Sequence, residues 1–567
     1  MTRWTYAFHP EPQAIESLRT SLGVDNIIAT LLLQRGITNF EEAKAFFRPA
    51  LEQLHSPFLM KGMGKAVERI ITALEHKQRI MVYGDYDVDG TTAVALVFQF
   101  LSKLTQTIEY YIPDRYSEGY GISFKGIDVA HENKVDLIIA LDCGIRSVDK
   151  VVYAAQKGID FIICDHHLPG PTIPAAVAVL DPKQEDCGYP FKELSGCGIG
   201  FKVCQALCER LEIPPLEVYQ YLDLLAVSIG ADIVPIVGEN RILAFFGLEK
   251  INSNPGVGIR SILQYNKIKR KLNITDVVFI IAPRINAAGR IEHGSNAVKL
   301  LISPDELSAE SYNQIIHYNN IERKNLDSTI TREALELIRS DKQLLQAKST
   351  VVFSESWHKG VVGIVASRLI EKYYRPTIVL TESNGMATGS ARSVKDFDVH
   401  EAIHACSDLL EQFGGHKYAA GLTLKLENVD AFRTKFEEVV SSTITDEMLI
   451  PRQEIDLEIK LEDITPKLLR ILNQLGPFGP GNMQPVFVTK GVVERGQARI
   501  VGENHLKLDV MEHPKAEFYF PAIFFKGGEI LPEIQSGKPF DIAYYIEENE
   551  FNGNITLQLN VKDIRVN

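Results

Sequence analysis

The chain between residues 78 and 182 alternates short apolar runs with longer amphipathic stretches. Four apolar runs have the length of buried strands, and the stretches between them repeat with the period of a helix. Strands separated by helices in this way form a parallel sheet with helices on its faces, so the pattern predicts an α/β domain. The predicted strands are residues 79–83, 135–141, 159–164 and 176–180, with helices that include 92–104 and 148–157.

The pattern changes along the rest of the chain. Residues 1–75 carry an apolar stripe at helical spacing, and similar spacing from about residue 303 to 345 predicts a long helix. Mixed strand and helix patterns return between residues 349 and 447, which predicts a second α/β unit. Past residue 450 apolar and polar residues alternate, and Asn552-Gly553 is a hairpin signal, so a small β-barrel of the OB type is expected there.

Composition refines this picture mainly by exclusion. At 567 residues the chain exceeds what one hydrophobic core organises, so about three or four domains are expected. Neither a membrane span nor a signal peptide is evident, and the seven scattered cysteines include no C-x-x-C pair, which predicts a cytoplasmic protein without a membrane partner. A net charge of −13 argues against nucleic-acid binding through bulk charge, although a local basic groove or bound metals could supply that attraction.

Three aspartates crowd into the segment GDYDVDG, residues 84–90, directly after the first predicted strand. In an extended segment the side chains of Asp85, Asp87 and Asp89 would point the same way and repel one another unless a cation lay between them. An EF-hand calcium loop is excluded, because the twelfth residue from Asp85 is Leu96 rather than a glutamate. A metal site of another kind is the hypothesis, and a solvated turn is the alternative.

Further acids and histidines follow the other predicted strands. The second strand leads into Asp142, and the third leads into the tripeptide Asp-His-His at residues 165–167. An apolar helical stretch that is expected to break at Gly230 presents Asp232. Because ligands bind outside the carboxyl ends of parallel strands, these side chains are predicted to converge on one crevice. Taken singly, an acid after a strand is more often a helix cap or a turn residue.

Five carboxylates gathered with two imidazoles in one crevice cannot all remain ionised without cations. Two divalent ions would neutralise most of this charge, and their usual separation of ~3.5–4 Å suits phosphoryl transfer. Carboxylate and imidazole ligands without thiolates favour Mn²⁺ or Mg²⁺ over structural zinc. The members of this predicted set are Asp85, Asp87, Asp89, Asp142, Asp232, His166 and His167.

The segments YGDYDVDGTTA, LDCG, DHH and ADIVP resemble, in order, the four core motifs of the DHH phosphoesterase family. APRINAAGR at residues 282–290 resembles the branch of that family formed by single-stranded-DNA-specific 5′-to-3′ exonucleases. GSARS at 389–393 and FGGHKYAAG at 413–421 resemble the DHH-associated domain (DHHA1). LGPFGPGNMQPVF at 475–487 resembles the segment that opens the OB-fold region of the same branch. The resemblance extends over nearly the whole chain.

The resemblance implies a role for each matching residue. The implied metal ligands are Asp87, Asp89, Asp142, His166 and Asp232. Asp142 would be shared by both ions, and Asp85 would stand beside them, where some relatives use a histidine two residues earlier and this chain has Tyr83. His167 would contact the scissile phosphate, and Asp165 would orient its neighbours. The residues implied to hold substrate phosphates across the cleft are Arg290, Ser390, Arg392, Gly414, Gly415 and His416.

Two further segments are interpreted from local patterns. Gly414 and Gly415 are expected to form a tight turn that lets the backbone approach a phosphate closely. Phe518, Tyr519 and Phe520 fall in the barrel region and could stack on bases, although packing in a core is the default expectation for each.

The resemblance also implies the domain organisation. The expected fold is α/β, with two α/β lobes joined by a long helix, one a DHH parallel-sheet domain and the other a DHHA1 domain, followed by a C-terminal OB-type β-barrel. The expected boundaries are 1–75 for an N-terminal helical segment, 76–240 for the DHH catalytic domain, 241–345 for a helical connector, 346–448 for DHHA1 and 449–567 for the OB-fold.

The implied activity is metal-dependent hydrolysis of single-stranded DNA from its 5′ end to mononucleotides, in DNA repair and recombination. A narrow cleft between the lobes would exclude duplex DNA. A single-strand-binding protein and a helicase are the implied protein partners. One alternative is a DHH phosphodiesterase of short oligonucleotides or cyclic dinucleotides, whose members lack the PRINAAGR segment and the barrel. Another is an inactive DNA-binding scaffold, against which the complete ligand set argues.

Overall fold

The computed structural model describes residues 2–551 and 554–566, so the Asn552-Gly553 hairpin signal lies outside the described residues. Contacts within the chain divide it into two compact units. The parallel-sheet unit consists of Arg48–Lys324 and Gly476–Met483, and the barrel unit consists of Met1–Phe47, Asn325–Leu475 and Gln484–Asn567. The long helix Glu306–Ser340 begins in the first unit and ends in the second, so one continuous helix connects them.

The parallel-sheet unit is built on a sheet of five parallel strands. In spatial order these are Ile108–Tyr111, Ile80–Gly84, Leu137–Leu141, Asp160–Cys164 and Ala178–Leu180. Four of them match predicted strands. The sequence pattern missed Ile108–Tyr111, because its residues lie at the sheet edge, are all only partly buried and include Glu109.

Helices surround this sheet and extend the unit. They are Met63–Glu75, Val88–Ser102, Phe124–Glu132, Val148–Gln156, Gly196–Arg210, Leu216–Tyr219, Leu222–Asp232, Gly238–Ser253, Val257–Tyr265, Ile274–Asp276, Ala282–Ile291 and Ser295–Leu301, with a π-helical turn at Val277–Ile281. Val88–Ser102 packs against both Gly196–Arg210 and Leu222–Asp232. These three helices are apolar on nearly every face, and Leu96, Phe201 and Leu225 are examples of their fully buried residues. Their starts and ends are therefore held rigidly beside the sheet.

The barrel unit contains a mixed sheet and a closed barrel. The mixed sheet, in spatial order, is Gln412–His416, Ala419–Lys425, Met386–Arg392, Thr377–Ser383 and Thr350–Ser354, and only the last two strands are parallel. The barrel sheet runs Leu457–Glu458, Phe487–Glu494, Phe540–Phe551, Asn554–Val566, Phe520–Phe524, His505–Met511 and Arg499–Val501. An added pairing between Phe487–Glu494 and His505–Met511 closes five of these strands into a ring, as in an OB-fold.

The remaining elements of the barrel unit flank these sheets. Its helices are Pro12–Leu22, Asn26–Gln34, Phe40–Phe47, Lys342–Gln346, Val362–Lys372, Val399–His404, Val429–Thr443, Pro466–Gln474 and Leu531–Ile534. Strand Arg3–Tyr6 pairs in parallel with Arg452–Ile455, so the start of the chain is tied to the segment that precedes the barrel. Together the parallel sheet, the mixed sheet and the barrel confirm the predicted fold class.

Two aromatic residues of the barrel contradict the expectation of core packing. Phe518 is 42% exposed and Tyr519 is 44% exposed, because both precede strand Phe520–Phe524 rather than lie in it. The guanidinium carbon of Arg495 lies 4.1 Å from the centre of the Tyr519 ring. Among the residues that the structure describes, every helix is too short or too polar to span a membrane.

Candidate metal centre

Four aspartates form one row at the carboxyl end of the parallel sheet. The strand register sets side by side the last residues of four neighbouring strands, namely Gly84, Leu141, Cys164 and Leu180. The next residue of each strand is an aspartate, and these are Asp85, Asp142, Asp165 and Asp181, all buried. Sheet register, rather than closeness in the sequence, thus concentrates the carboxylates where parallel sheets bind their ligands.

The segment that follows Asp85 is not extended, which corrects the prediction that three side chains point the same way. A helix begins at Val88, only three residues further on. Asp87 caps this helix, since its Oδ1 accepts a hydrogen bond from Gly90 N at 3.0 Å, and Asp89 lies in the first turn. Gly90 permits the tight turn, because a Cβ at that position would lie 2.5 Å from the carbonyl oxygen of Asp85.

Asp142 adopts a backbone conformation that is rare for an aspartate. Its φ of +60° lies in the left-handed region, and its N–H donates to the carbonyl of Cys164 at 2.8 Å. Such conformations are costly and concentrate at functional sites, where the surrounding structure holds them. Asp142 is also the acid whose carboxylate lies nearest to Nε2 of His166, with Oδ1 3.2 Å from that nitrogen.

Asp165 lies beside the acids that surround His166 Nε2, and hydrogen bonds from its own neighbours hold both of its oxygens. Oδ2 accepts from Ile145 N at 2.8 Å, and Oδ1 accepts from His166 N and lies 2.7 Å from His167 Nδ1. Although burial opposes it, the contact with His167 lowers the pKa of Asp165 to about 2. Burial disfavours the imidazolium of His167, but Asp165 and the neighbouring acids outweigh burial and raise its pKa to about 9.

Asp232 ends a helix that was expected to break earlier. The helix Leu222–Asp232 continues through Gly230 and stops at Ile233, whose φ is +61°. A Cβ at Gly230 would lie 3.4 Å from Val277 Cγ1, an ordinary van der Waals distance, so packing does not require glycine there. The helix end places Asp232 Oδ2 3.5 Å from Nε2 of His166.

His166 is therefore the point on which the acids converge. Besides its contacts with Asp142 and Asp232, its Nε2 lies 3.8 Å from Asp89 Oδ2. Two sets of three side chains offer ligand atoms that all lie within 4.8 Å of one another, Asp89 with His166 and Asp232, and Asp142 with His166 and His167. The two sets share His166, so both describe a position for a cation beside this imidazole.

The buried polar atoms of this cluster fit a cation better than they fit one another. Among the described residues, Asp85 Oδ2, Asp142 Oδ1 and both ring nitrogens of His166 are buried without a hydrogen-bond partner. His166 Nε2 and Asp142 Oδ1 are close enough to bond but are not aligned to do so. A buried polar atom without a partner is costly, and a bound divalent ion would satisfy a carboxylate oxygen together with one ring nitrogen of His166.

Charge repulsion within the cluster also indicates that the cluster suits a bound cation. Burial, followed by the neighbouring carboxylates, raises the pKa of Asp85, Asp87 and Asp142. The same causes raise the pKa of Asp232 to about 8. Burial also lowers the pKa of His166, which favours the neutral imidazole that binds metals. Oxygen and imidazole donors without a thiolate suit Mn²⁺ or Mg²⁺.

The predicted phosphate-binding residues fall in both units. Arg290 lies in the last turn of helix Ala282–Ile291 in the parallel-sheet unit, and its carbonyl accepts a hydrogen bond from Tyr116. The others lie on three adjacent strands of the mixed sheet in the barrel unit, where the register sets Gly414 beside Gly421 and Gly421 beside Ser390. Arg392 donates to Ser390 Oγ at 2.7 Å. Each unit therefore holds part of the predicted set.

Gly414 and Gly415 do not form the expected turn. With His416 they lie within strand Gln412–His416, and the chain reverses after them. Gly415 has φ +145°, and a Cβ there would lie 2.4 Å from the carbonyl oxygen of Ala419. Pairing with strand Ala419–Lys425, which begins after only two intervening residues, places these glycines in one arm of a hairpin. His416 is exposed at the end of the strand.

The sequence analysis missed two groups of residues at the site. Tyr120 Oη lies 3.2 Å from His167 Nε2. Ser228 and the start of helix Gly196–Arg210 hold the carboxylate of Asp89. The only local signal for the second group was Ser195, a residue type that favours helix N-caps, and its side chain does cap this helix.

Family models match three parts of the chain. The model of the DHH family, N-terminal domain, matches residues 79–229, the DHHA1 domain matches 346–442, and the RecJ OB domain matches 455–563. The parallel sheet with acids and histidines at its strand ends is thus that of a DHH phosphoesterase. With the DHHA1 and OB domains in order behind it, the chain belongs to the RecJ family.

Individual relatives agree with this assignment. The single-stranded-DNA-specific exonuclease RecJ of Bacillus subtilis is 39% identical over all of this chain and 71% of its own length, and that of Escherichia coli is 32% identical over 95% of each. The crystal structure of RecJ in complex with Mn²⁺ from Thermus thermophilus is 29% identical, covers 99% of this chain and 79% of its own, and matches with a TM-score of 0.85. Another, of exonuclease RecJ bound to manganese, is 33% identical, covers 70% of this chain and 97% of its own, and has a TM-score of 0.60.

Proposed function

We propose that this chain is a metal-dependent exonuclease that hydrolyses single-stranded DNA from the 5′ end to mononucleotides and acts in DNA repair and recombination. The observation that carries the proposal is the buried cluster around His166, whose carboxylates come from separate segments and whose polar atoms lack partners. Membership of the RecJ family, whose named members are single-stranded-DNA-specific exonucleases, supports the choice of substrate.

In this proposal the cluster holds two divalent cations, Mn²⁺ or Mg²⁺. The ligands would be Asp87, Asp89, Asp142, His166 and Asp232, with Asp85 beside them. Asp142 would be shared by both ions, consistent with its short distance to His166 and its partnerless oxygen. When bound, the ions would lower the pKa of a water molecule and offset the charge that develops on the reacting phosphate.

His167 is proposed to contact the scissile phosphate. Its Nδ1 is held by Asp165, and its Nε2, which lies 3.2 Å from Tyr120 Oη, would donate to a phosphate oxygen. Without bound cations, Asp165 and the neighbouring acids outweigh burial and raise the pKa of His167 to about 9, and a charged imidazole would bind an anionic oxygen strongly. Asp165 would act through His167, by fixing the orientation of the ring.

The phosphate contacts are proposed for both units. Arg392 is suited to this role because its Nη1 donates to a serine hydroxyl and a backbone carbonyl rather than to a carboxylate. Burial lowers the pKa of Arg392, because its guanidinium is largely removed from water. Arg290, Ser390 and the strand residues Gly414, Gly415 and His416 complete the proposed set. Catalysis is assigned to residues 76–240, the connector to 241–345 and phosphate contacts also to 346–448.

Residues 449–567 are proposed to bind the single strand. The exposed rings of Phe518 and Tyr519 could stack on bases, and the guanidinium of Arg495 already stacks on Tyr519. A cytoplasmic location is proposed because all seven cysteines are free and buried, as in reducing compartments. A single-strand-binding protein and a helicase are proposed as partners on the strength of the family resemblance.

The direct test is digestion of a single-stranded oligonucleotide of tens of nucleotides with Mn²⁺. A 5′ label should appear at once in mononucleotides, whereas a 3′ label should pass through progressively shorter products. A chelator should stop both the release of the 5′ label and the shortening of the 3′-labelled strand. The matching blunt duplex should be cut far more slowly. Cleavage of only dinucleotides and other short substrates would replace the proposal with the phosphodiesterase alternative, and binding without cleavage would replace it with the scaffold alternative.

A further inference from the structure

Asp89 differs from the other acids of the cluster because the protein itself holds both of its oxygens. Oδ2 accepts a hydrogen bond from Gly196 N at 2.6 Å. Oδ1 accepts from Cys197 N at 2.9 Å and from Ser228 Oγ at 2.6 Å. These donors lie more than a hundred residues from Asp89 in the sequence. Two backbone groups and one hydroxyl thus fix this carboxylate before any cation binds.

A chain of hydrogen bonds stands behind the hydroxyl of Ser228. Its Oγ lies 2.6 Å from Ser195 Oγ, which in turn accepts from Gly198 N at 3.1 Å. Each hydroxyl has one proton and a carboxylate can only accept, so Ser228 donates to Asp89 and Ser195 supplies the proton between the two hydroxyls. Both serines are fully buried, where such a chain is strengthened by the low dielectric and water does not compete.

The same helix start also touches Asp142. A Cβ on Gly196 would lie 2.5 Å from the Cβ of Asp142 and 2.7 Å from its Oδ1, so only glycine fits there. The first turn of helix Gly196–Arg210 is therefore in direct contact with both Asp89 and Asp142. The N–H groups of this turn donate to Asp89 and Ser195, and the partial positive charge of a helix start favours carboxylates at this end.

Ser228 has a second connection with the cluster. It lies in helix Leu222–Asp232, four residues before Asp232, and residues four apart share one face of a helix. One helix therefore delivers both a group that holds Asp89 and an acid that lies beside His166. The arrangement ties three acids of the cluster to two helix termini.

We propose that Ser228, together with the first turn of helix Gly196–Arg210, is a positioning device that sets the separation of Asp89 from Asp142 and thereby the affinity of the centre for its cations. The proposal rests on the proposed function, since it takes these acids as metal ligands. Ser228 contacts neither substrate nor reacting atoms. It acts through Asp89, which would otherwise rotate about its side-chain bonds when the cations leave.

The test measures Mn²⁺ binding directly, by the loss of the electron paramagnetic resonance signal of free Mn²⁺ and by calorimetry. Ser228→Ala should weaken Mn²⁺ binding about 10–100-fold, as is typical when a group that orients a metal ligand is lost. Hydrolysis by this variant should be low at limiting Mn²⁺ and return towards the wild-type rate at saturating Mn²⁺. Ser228→Cys keeps the shape of the side chain but donates a hydrogen bond weakly. Its Mn²⁺ affinity should therefore fall between those of the wild type and Ser228→Ala.

The matched control is Ser349→Ala in the barrel unit. Ser349 is also buried and donates to a carboxylate, Glu437 Oε2, at 2.5 Å, but it has no contact with the cluster. This variant should lose stability in a denaturant titration and keep its Mn²⁺ affinity. A merely structural role for Ser228 would give the same result as this control.

The outcomes separate the two proposals. If the wild-type protein does not bind Mn²⁺, or Asp142→Ala binds it as well as the wild type, the proposed function fails. If the wild type binds, Asp142→Ala does not, and Ser228→Ala binds with wild-type affinity, only the positioning role is overturned. Should Ser228→Ala not fold, Ser228→Cys decides the matter, because wild-type Mn²⁺ affinity in that variant also overturns the positioning role.

Discussion

The parallel-sheet unit buries two groups of charged side chains that are opposite in character. One is the acid cluster around His166, and the other is the ion pair of Lys202 with Glu239. The pair is as deeply buried as the cluster, with Nζ 2.7 Å from Glu239 Oε1. Its remaining hydrogen-bonding capacity is filled, since Nζ also donates to His55 O and Gln205, while Glu239 accepts from Tyr189 and His55 N.

The difference between the two groups distinguishes structure from function. Within the part of the chain that the structure describes, the pair has opposite charges and a partner for each, whereas the cluster combines like charges with partnerless atoms. Burial alone does not mark a functional site. Like charges buried together do indicate one, because folding would not favour their mutual repulsion unless a ligand offset it.

The largest expected effect is that of Asp142→Ala on catalysis. Loss of the proposed shared ligand should lower hydrolysis of single-stranded DNA about 10³-fold or more, the equivalent of ~4 kcal/mol of transition-state stabilisation. The metal-free protein should remain folded and at least as stable as the wild type, because one of several repelling carboxylates is gone. Initial rates with Mn²⁺ would check the loss of hydrolysis, and a thermal melt with chelator would check the stability of the metal-free protein.

The control for this variant is Asp223→Asn. Asp223 is equally buried in the same unit, but it accepts from Gly256 N and Leu224 N and lies outside the cluster. Its substitution should cost stability and leave the rate nearly unchanged. Comparable loss of activity in both variants would show that hydrolysis depends on any buried aspartate of this unit. The distinction between the acid cluster and compensated buried charges would then be wrong.

The second effect is that of Lys202→Met on stability. Removal of the cation leaves Glu239 buried and unpaired, which should reduce the free energy of unfolding by about 3–5 kcal/mol. The double variant Lys202→Met with Glu239→Gln should recover part of this loss, because no uncompensated charge remains. Urea titration of the wild type, both single variants and the double variant completes the cycle. Equal stability of Lys202→Met and the wild type would contradict the structural role.

The third effect is a rise of Mn²⁺ affinity with pH. Without cations the pKa of Asp232 is about 8, so below that pH its carboxyl group is largely protonated and a cation must displace the proton. Affinity should therefore fall by about tenfold for each pH unit below 8 for each proton displaced. Calorimetry at about pH 6, 7 and 8 in buffers of different ionisation enthalpy would count the protons released.

Asp232→Asn sharpens this prediction. The variant should bind Mn²⁺ more weakly at every pH, but with a shallower pH dependence, because one titrating carboxyl group is gone. An unchanged dependence would assign the proton to another member of the cluster. The ion pair of Lys202 and Glu239 has no part in this effect, so Lys202→Met should keep the wild-type pH dependence wherever it folds.

The smallest effect is that of Arg392→Ala on DNA binding. Loss of one phosphate contact should reduce the slope of log affinity against log salt concentration by about 0.7. Arg433→Ala is the control, because Arg433 lies in the same unit but is already paired with Asp430 at 2.9 Å. Fluorescence anisotropy with a labelled single strand, without metal, measures both. Equal slopes for Arg392→Ala and the wild type would remove Arg392 from the phosphate contacts.

The local pattern of the sequence determined much of this protein. Apolar runs of strand length, each followed by an aspartate, were sufficient to predict the sheet and the edge at which Asp85, Asp142 and Asp165 gather. The alternation of apolar and polar residues past residue 450 was sufficient to predict the barrel. These features can be read locally, because strand and helix periods extend over a few residues and the register of a parallel sheet aligns strand ends.

Only the tertiary structure decided which of the acids share a site and what holds them. Hydrogen bonds with Ile145 and His167 hold the carboxylate of Asp165. Gly414 and Gly415 lie in a strand because they pair with strand Ala419–Lys425. Ser228 and Gly196 look like ordinary residues of apolar helices, yet they contact Asp89 and Asp142. The contacts of Ser228 and Gly196 join segments more than thirty residues apart, and no periodic pattern within one segment encodes the position of another.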